Sequence, residues 1–338
     1  MRNTYKRPKF QKKITNRTRI GIFLLIAVAI YFLSGAVDEL RVYQGATVGM
    51  YVVGIASIIL LTGYSGQVSL GQGALLGVGG YAAALMRVHY NANVILCFIV
   101  AILAAAVAGA LLGIAAARLS GPYLAGTTLA LAVGLPSIAN QFPILGGEQG
   151  LLFDVGFPPL ALGADFTQYK WFFWISSAAT LIAIFWLQNV MRSRYGRTWK
   201  AVRGNDVAAE LAGINITRNK TLAFTLSAGL AGLSGALLAM TIGTVSPSAF
   251  PLSLSFSLLT GAVLSGVTTL GGVIIGSLTL VAIPEIASAV VNRLGSSEAV
   301  ATNLPALLVS ALLILTVLFV PNGPVEQFRA RHESKVKL

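Results

Sequence analysis

An all-α membrane protein that crosses the bilayer about ten times is the fold class that this sequence predicts. Of the 338 residues, 56% are hydrophobic and 10% are charged, whereas a soluble domain carries about 25% charged residues. The hydrophobic residues lie in successive long runs, and one helical crossing of a bilayer takes about 20 residues. The chain is therefore long enough for roughly eight to eleven spans with their loops.

The basic residues predict how the spans are oriented. Most of the 24 Lys and Arg residues lie in the N-terminal arm 1–19, at Arg118, in the central segment 191–220 and in the tail 321–338. If the chain has ten spans, these four places share one side of the membrane, which the positive-inside rule makes the cytoplasmic side. The net charge of +13 is thus explained by orientation and by attraction to membrane lipid, and nucleic acid is not an expected partner.

The domain organisation follows from the same pattern. Residues 1–19 are expected to form a basic cytoplasmic arm, residues 20–320 the transmembrane domain and residues 321–338 a cytoplasmic tail. A basic segment before an apolar run is also typical of a signal peptide, but this run is long for one and many spans follow it, which favours an uncleaved first helix. The ten predicted spans are 20–36, 46–61, 74–86, 94–117, 123–142, 171–190, 221–242, 254–269, 271–291 and 303–320.

The order of the spans raises the hypothesis of an internal repeat. Spans two to five and spans seven to ten each form a group of four that follows one further helix. Halves of five spans each would have opposite orientations in the membrane, as in many transporters built from inverted repeats.

A stretch rich in glycine and serine, Thr62–Gly73, interrupts the apolar pattern between the second and third spans. Glycine at this density bends or breaks a helix. Irregular backbone at membrane depth is tolerated only where protein or a water-filled cavity satisfies its polar groups. One interpretation is a discontinuous helix that lines a transport pathway. The other is a tight cytoplasmic hairpin whose glycines allow close helix contacts, and the residues alone do not decide between them.

The central segment 191–220 is the one long polar interval between spans, and it is rich in Arg and Lys. Its middle is predicted to form a short helix with Asp206 as the N-cap and Gly213 as the C-cap. A helix of two or three turns is marginal in water by itself, so it needs a surface to pack against. Exposure of Leu211 and Ile214 would favour a separate protein as the source of that surface.

Several kinds of chemistry are not expected from this sequence. Cys97 is the only cysteine, and His89 and His332 are the only histidines, so neither an intrachain disulfide nor a metal site is expected. The sequence has no P-loop, dinucleotide-binding or metalloprotease motif, so no cofactor is expected. Glu285 is the most deeply embedded carboxylate. It is either functional, or it lies near the outer end of its span, where it can extend to the membrane surface or pair with Arg293.

Four segments, taken together, are similar to one family of transporters. They are residues 62–85 (TGYSGQVSLGQGALLGVGGYAAAL), 118–151, 193–250 and 314–325. Their order and spacing resemble the LivM-type permease subunits of the branched-chain amino acid family of ATP-binding-cassette importers, over roughly residues 46–325. The resemblance implies a multi-pass permease subunit in the cytoplasmic membrane of a prokaryote, which catalyses no covalent reaction itself.

The resemblance also implies partners and a coupling helix. The partners are a second, LivH-like permease subunit, two cytoplasmic ATP-binding-cassette ATPases and an extracytoplasmic solute-binding protein. The central helix is similar to the importer motif E-A-A-x-x-x-G, although Val207 stands where the Glu would be. It is therefore expected to lie in a groove of the ATPase. The residues expected to carry this coupling are Asp206, Ala208, Ala209, Glu210, Leu211, Gly213 and Ile214.

Branched-chain amino acids are the substrate that the resemblance favours, with urea, short amides or another small carboxylate as alternatives. A stand-alone secondary transporter, which needs no ATPase, and a membrane-embedded enzyme, which needs a buried polar constellation, are hypotheses from other classes. For each proposed pathway residue, helix packing through small side chains is the alternative explanation. The residues proposed to line the pathway are Gly66, Gln67, Ser69, Gln72, Thr127, Thr128, Ser265 and Thr268.

Overall fold

Helices make up nearly all of the computed structural model, which describes residues 16–119, 121–159, 166–266, 270–294 and 298–319. A π-helix, Ile59–Tyr64, extends the second α-helix, and two short strands, β1 (Leu151–Leu152) and β2 (Thr244–Val245), pair with each other. The α-helices are α1 (Asn16–Ala36), α2 (Glu39–Ile58), α3 (Gln72–Tyr90), α4 (Val94–Ala116), α5 (Pro122–Gln141), α6 (Gln168–Arg192), α7 (Arg194–Gly204), α8 (Asp206–Leu211), α9 (Ile216–Ile242), α10 (Leu252–Ser265), α11 (Val273–Leu294) and α12 (Glu298–Phe319).

The ten predicted spans correspond in order to α1–α6 and α9–α12. Eight helical segments of the described chain are long and apolar enough to cross a membrane. The other two are α3, which carries Arg87 and His89 in its last turn, and α12, whose apolar part is the shorter segment Leu304–Thr316. The predicted class, an all-α polytopic membrane protein, is confirmed. The orientation and the inverted repeat stay predictions, and most of the predicted arm and tail lies outside the described residues.

Helix α9 occupies the centre of the bundle because its middle consists of small residues. It packs against α2, α3 and α4. A Cβ atom added to Gly235 would overlap the carbonyl group of Leu76, and one added to Gly79 would overlap the backbone of Gly232. The backbones of α3 and α9 are therefore in direct contact, which small residues permit between membrane helices.

Hydroxyl groups join α9 to α2 along most of their length. The Oγ atom of Ser234 donates a hydrogen bond to the carbonyl oxygen of Met50 at 2.8 Å, and Ser227 donates in the same way to Ser57 at 2.7 Å. Since residue numbers rise along α9 as they fall along α2, the two helices are antiparallel. These contacts place the end of α2, where the predicted break begins, beside the first half of α9.

Helix α1 lies at the edge of the bundle, with most of its surface exposed, and packs on α6. The guanidinium of Arg19 donates hydrogen bonds to the side-chain oxygens of Asn189 (3.0 Å) and Gln188 (3.1 Å). At the opposite end, the indole Nε1 of Trp174 donates to the Oγ atom of Ser34, 3.1 Å away. Polar contacts thus fix α1 to α6 near both of its ends.

The pairing of β1 with β2 joins two segments that the sequence predicts to be outer loops. Leu151 is paired with Val245 and Leu152 with Thr244 in an antiparallel register. The backbone N–H of Phe153 also donates to the carbonyl oxygen of Gly243 at 2.9 Å. The loop after α5 is therefore attached to the C-terminal end of the central helix α9.

Candidate functional site

The basic segment between α6 and α9 folds into two helices, whereas the sequence predicted one. Helix α7 is amphipathic, because Gly196, Trp199 and Val202 are buried while its Arg and Lys side chains are exposed. The indole Nε1 of Trp199 donates a hydrogen bond to the carbonyl oxygen of Asn219 in the first turn of α9, 3.0 Å away. This buried tryptophan fixes the polar segment against the membrane domain.

The N-cap of helix α8 is one residue earlier than predicted. The N-cap is Asn205, whose backbone is extended and whose Oδ1 atom accepts a hydrogen bond from the N–H of Ala208 at 3.0 Å. Asp206 is therefore not the N-cap. It lies in the first turn, where a carboxylate is favourable, and it forms an ion pair with Lys220 at the start of α9.

Gly213 ends α8 as predicted, in the position that follows the cap residue. Its φ angle of +82° is in the left-handed region that favours glycine. The N–H of Ile214 donates to the carbonyl oxygen of Ala209 (3.0 Å), and the N–H of Gly213 donates to that of Glu210 (2.9 Å). This pair of bonds is a Schellman motif, which satisfies carbonyl groups at the end of a helix.

Two large apolar side chains of α8 are exposed. Leu211 is 86% exposed and Val207 is 67% exposed, and residues four apart lie on the same side of a helix. Ala209 is buried on the opposite side. Of the two residues whose exposure would favour a separate protein partner, Leu211 is exposed and Ile214 is half-buried, and Val207 is a second exposed apolar residue. The exposed apolar pair on this six-residue helix is therefore largely free of contacts within the described chain.

The stretch rich in glycine and serine does break the helical structure. Helix α2 continues as the π-helix to Tyr64, and no regular helix is present from Ser65 to Gly71. The buried side chain of Gln67 donates through Nε2 to the Oγ atom of Ser65 (2.7 Å) and to the carbonyl oxygen of Lys220 (3.1 Å). The surrounding protein thus supplies acceptors for the buried side chain of this irregular segment.

The predicted pathway residues do not come together in one place. Gly66 and Gln67 line a cleft, whereas Thr127 is exposed on α5 and Thr268 lies outside the described residues. The remaining four are buried where helices meet, and they are Ser69, Gln72, Thr128 and Ser265. For these four, the location fits helix packing as well as it fits a pathway, and the pathway assignment stays a prediction.

The cleft, of about 840 Å³, lies between the break after α2, the start of α5 and the segment that contains α7 and α8. Arg203, Asp206 and Lys220 contribute its charged groups. The Oε1 atom of Gln67 is buried and has no hydrogen-bond partner among the described atoms. The full lining is Thr62, Ser65, Gly66, Gln67, Val68, Leu119, Gly121, Leu124, Ala125, Val202, Arg203, Gly204, Asn205, Asp206 and Lys220.

A smaller basic groove, of about 390 Å³, lies beside the C-terminal end of α8. Arg194, Tyr195 and Arg218 contribute side chains to its lining. A hydrogen bond from Arg194 and the positive charge of its guanidinium lower the pKa of the exposed Tyr195 phenol. The groove is therefore electropositive, and it includes Gly213 and Ile214, which follow the end of α8.

One feature that the sequence interpretation missed is the exposed face of α5. The large exposed side chains of α4 are all apolar, as expected of a surface that faces lipid. On α5, an ideal Cβ atom built on Gly126 or Gly134 has no neighbour within 4 Å, and small or polar residues alternate with a few apolar ones. The exposed residues of this face are Gly126, Thr127, Ala130, Val133, Ser137, Ile138 and Asn140. The low apolar content of α5 was the available signal.

No cluster of metal-ligating side chains occurs among the described residues. Glu285, the embedded carboxylate, accepts a hydrogen bond from the Nε2 atom of Gln44 in α2. The alternative of an ion pair with Arg293 is not present among the described residues, and a neutral amide bonds the carboxylate instead. Cys97 is a buried free thiol.

Comparison with known proteins gives a consistent result. The family model described as "Branched-chain amino acid transport system / permease component" matches residues 40–318. The chain is 31% identical to the permease protein LivM of the high-affinity branched-chain amino acid transport system of Escherichia coli, over 78% of this chain and 66% of LivM. It therefore spans slightly less than two thirds of that relative.

Two further relatives extend the comparison. LivH, a second permease protein of the same kind of system in Salmonella typhimurium, is 30% identical over 56% of this chain and 54% of its own length. The L-arabinose permease protein AraH of Azospirillum brasilense is 26% identical over 95% of this chain and 91% of its own length. No solved structure matches the chain.

Proposed function

We propose that this chain, which belongs to the family of branched-chain amino acid transport system permease components, is the membrane permease subunit of an ATP-driven importer. In this role it is a multi-pass protein of the prokaryotic inner membrane that hydrolyses no ATP itself. Its partners are a second permease subunit similar to LivH, two cytoplasmic ATP-binding-cassette ATPases and an extracytoplasmic solute-binding protein.

The observation that carries the proposal is the exposed apolar pair on α8. A helix of six residues is too short to be stable alone, yet Val207 and Leu211 are directed away from the membrane domain. A complementary groove on an ATPase would cover both side chains and would transmit its movement through α8. The exposed residues that would border this contact are Asp206, Ala208, Glu210 and Gly213. Ala209 is buried and packs the helix against the rest of the chain. The basic groove begins at Gly213.

The exposed face of α5 supports a pathway between this chain and a second permease subunit. The hydroxyl of Thr127 is satisfied by carbonyl oxygens of its own helix. The exposed Ser137 and Asn140, at the C-terminal end of α5, are more favourable in a wet or protein environment than against lipid. These side chains are uncharged. They suit a solute without net charge, such as a zwitterionic branched-chain amino acid.

The solute is proposed from the named relatives. LivM and LivH are permease proteins for branched-chain amino acids, which makes these amino acids the first candidate. A pentose sugar is the second candidate, because the similarity to the L-arabinose permease covers nearly the whole chain and hydroxyl groups also suit an uncharged polar face.

Co-purification tests the coupling role directly. We expect two ATPase polypeptides to purify with the wild-type chain from its native membrane and to be lost with Leu211→Asp or Gly213→Arg. Leu152→Asp is the matched control, because Leu152 is also largely exposed, at 71%, but lies in the loop after α5. If the wild-type chain purifies without an ATPase and still moves leucine or arabinose into liposomes, the protein is a secondary transporter. Uptake of labelled leucine against arabinose by the intact complex then decides between the two solutes.

A further inference from the structure

Helix α7 is attached to the π-helix at the end of α2 through Arg203. The guanidinium of Arg203 donates a hydrogen bond to the carbonyl oxygen of Gly63. The side chain of Arg203 also lies against Gly66, where an added Cβ atom would be 2.9 Å from its Cγ atom. One turn earlier, the ammonium of Lys200 lies 4.7 Å from the ring centroid of Tyr64, a cation–π contact.

The π-helix gives these contacts a physical reason. π-turns are rare and occur mostly as local interruptions of α-helices. The carbonyl groups where such a turn ends need donors from elsewhere. Arg203 supplies a charged donor to Gly63, and such bonds are stronger than neutral ones. Glycine suits position 66 for two reasons. Its φ angle of +74° is in the left-handed region, and the absence of a side chain leaves room for Arg203.

A second connection joins the break to the other side of α8. Gln67 donates through Nε2 to the carbonyl oxygen of Lys220 at 3.1 Å, and the ammonium of Lys220 forms an ion pair with Asp206 in α8. Arg203 precedes α8 in the chain and Lys220 follows it. The segment that carries α8 is thus attached to the same short break from both sides.

We propose that Arg203 and Gln67 form a latch that passes movement of α8 to the non-helical segment 65–71 and so changes the width of the cleft of about 840 Å³. The latch rests on the proposed coupling role of α8. Both latch residues line the cleft, as do Asp206 and Lys220. When an ATPase displaces α8, either the segment 65–71 moves with it or the bonds from Arg203 and Gln67 break. In the alternative, movement of α8 is transmitted only through the flanking helices α6 and α9, and the segment 65–71 does not move.

The latch residues are positioning residues, so the test measures coupling. In proteoliposomes that hold the full importer with its binding protein, the readout is the number of ATP molecules hydrolysed per solute imported. We expect Arg203→Met to raise this ratio about tenfold and Arg203→Lys to raise it less. Arg197→Met is the matched control on the same helix, since Arg197 is exposed and bonds only its own segment. A wild-type ratio in Arg203→Met would overturn the latch.

A second measurement needs no variant. Hydrogen–deuterium exchange of a peptide that covers residues 62–71 is compared in the wild-type complex with and without ATP. The latch predicts that ATP binding changes this exchange at least as much as exchange in α8. An ATPase-bound, transporting complex in which residues 62–71 do not respond to ATP would overturn the latch while leaving the importer assignment intact. A chain that binds no ATPase at all would instead overturn the coupling role.

Discussion

The Nε2 atom of Gln72 donates a hydrogen bond to the Oγ atom of Ser227, 3.0 Å away, and both side chains are fully buried. The same amide donates to the Oγ atom of Ser57 at 2.8 Å. A single side chain thus joins α2, α3 and α9 at the point where the chain becomes helical again after the break. In this position Gln72 holds three helices together, although the sequence proposed it as a residue of the pathway.

Substitution of Gln72 separates these two roles. Gln72→Leu keeps a similar volume and removes both hydrogen bonds. Buried hydrogen bonds between membrane helices contribute about 0.6 kcal/mol each, so we expect the variant to unfold with a free energy about 1 kcal/mol lower and to keep the wild-type KM for uptake. Chemical unfolding in detergent and uptake kinetics measure the two quantities. Gln141→Leu, at the exposed end of α5, is the control. A large rise in KM with unchanged stability would make Gln72 a solute contact.

The contact between α3 and α9 predicts opposite outcomes at two glycines. An alanine at Gly235 would place its Cβ atom against the backbone of Leu76, whereas an alanine at Gly126 meets open space. Overpacking typically lowers stability by about 1–3 kcal/mol, and alanine favours a helix over glycine by about 1 kcal/mol. We therefore expect Gly235→Ala to lower the thermal unfolding temperature and Gly126→Ala to leave it unchanged or raise it. Equal effects at both sites would contradict the close packing of these backbones.

The hydropathy pattern predicted the spans well because burial in lipid acts on each residue separately. It also predicted the break, since Gly66 and Gly71 act on the local backbone. Features that depend on distant partners were not predictable. The sequence of Ile59–Tyr64 carries no sign of a π-helix, and the pairing of Leu151 with Val245 joins residues from loops far apart in the chain.

The candidate site shows the same division. Gly213 was predictable because a helix that ends in a left-handed residue favours glycine. The cap at Asn205 instead of Asp206 depended on which of two adjacent capping residues has an extended backbone. Helix α7 was missed because its charges outnumber its buried residues, although Trp199 and Val202 have the spacing of one helical face. The polar face of α5 could be identified only from the structure, which shows which residues of the helix are exposed and which are buried.

That face predicts a pattern of chemical accessibility. Cysteines introduced at Thr127, Ser137 and Asn140 are expected to react with a membrane-impermeant thiol reagent in the assembled importer. A cysteine at Leu103 on α4, which faces lipid, is expected to stay unmodified. Native Cys97 is buried, so the background is low, and Cys97→Ala provides a check. Protection of the α5 cysteines by saturating leucine would support the proposed pathway. Equal labelling on α4 and α5 would remove the distinction between the two faces.

The contacts that attach α1 to the bundle are predicted to contribute to stability and not to transport. Arg19 provides charged hydrogen bonds to Gln188 and Asn189, and bonds of this kind contribute about 1.5–3 kcal/mol. Arg19→Leu removes them and leaves two amide oxygens without their donor, so we expect the free energy of unfolding to fall by about 1–3 kcal/mol. Arg41→Leu, at an exposed position of α2, is the matched control for loss of a charge. Because α1 contributes no residue to the lining of the cleft, the ratio of ATP hydrolysed to solute imported should stay at the wild-type value. A changed ratio with unchanged stability would assign α1 a part in coupling that its contacts with α6 do not predict.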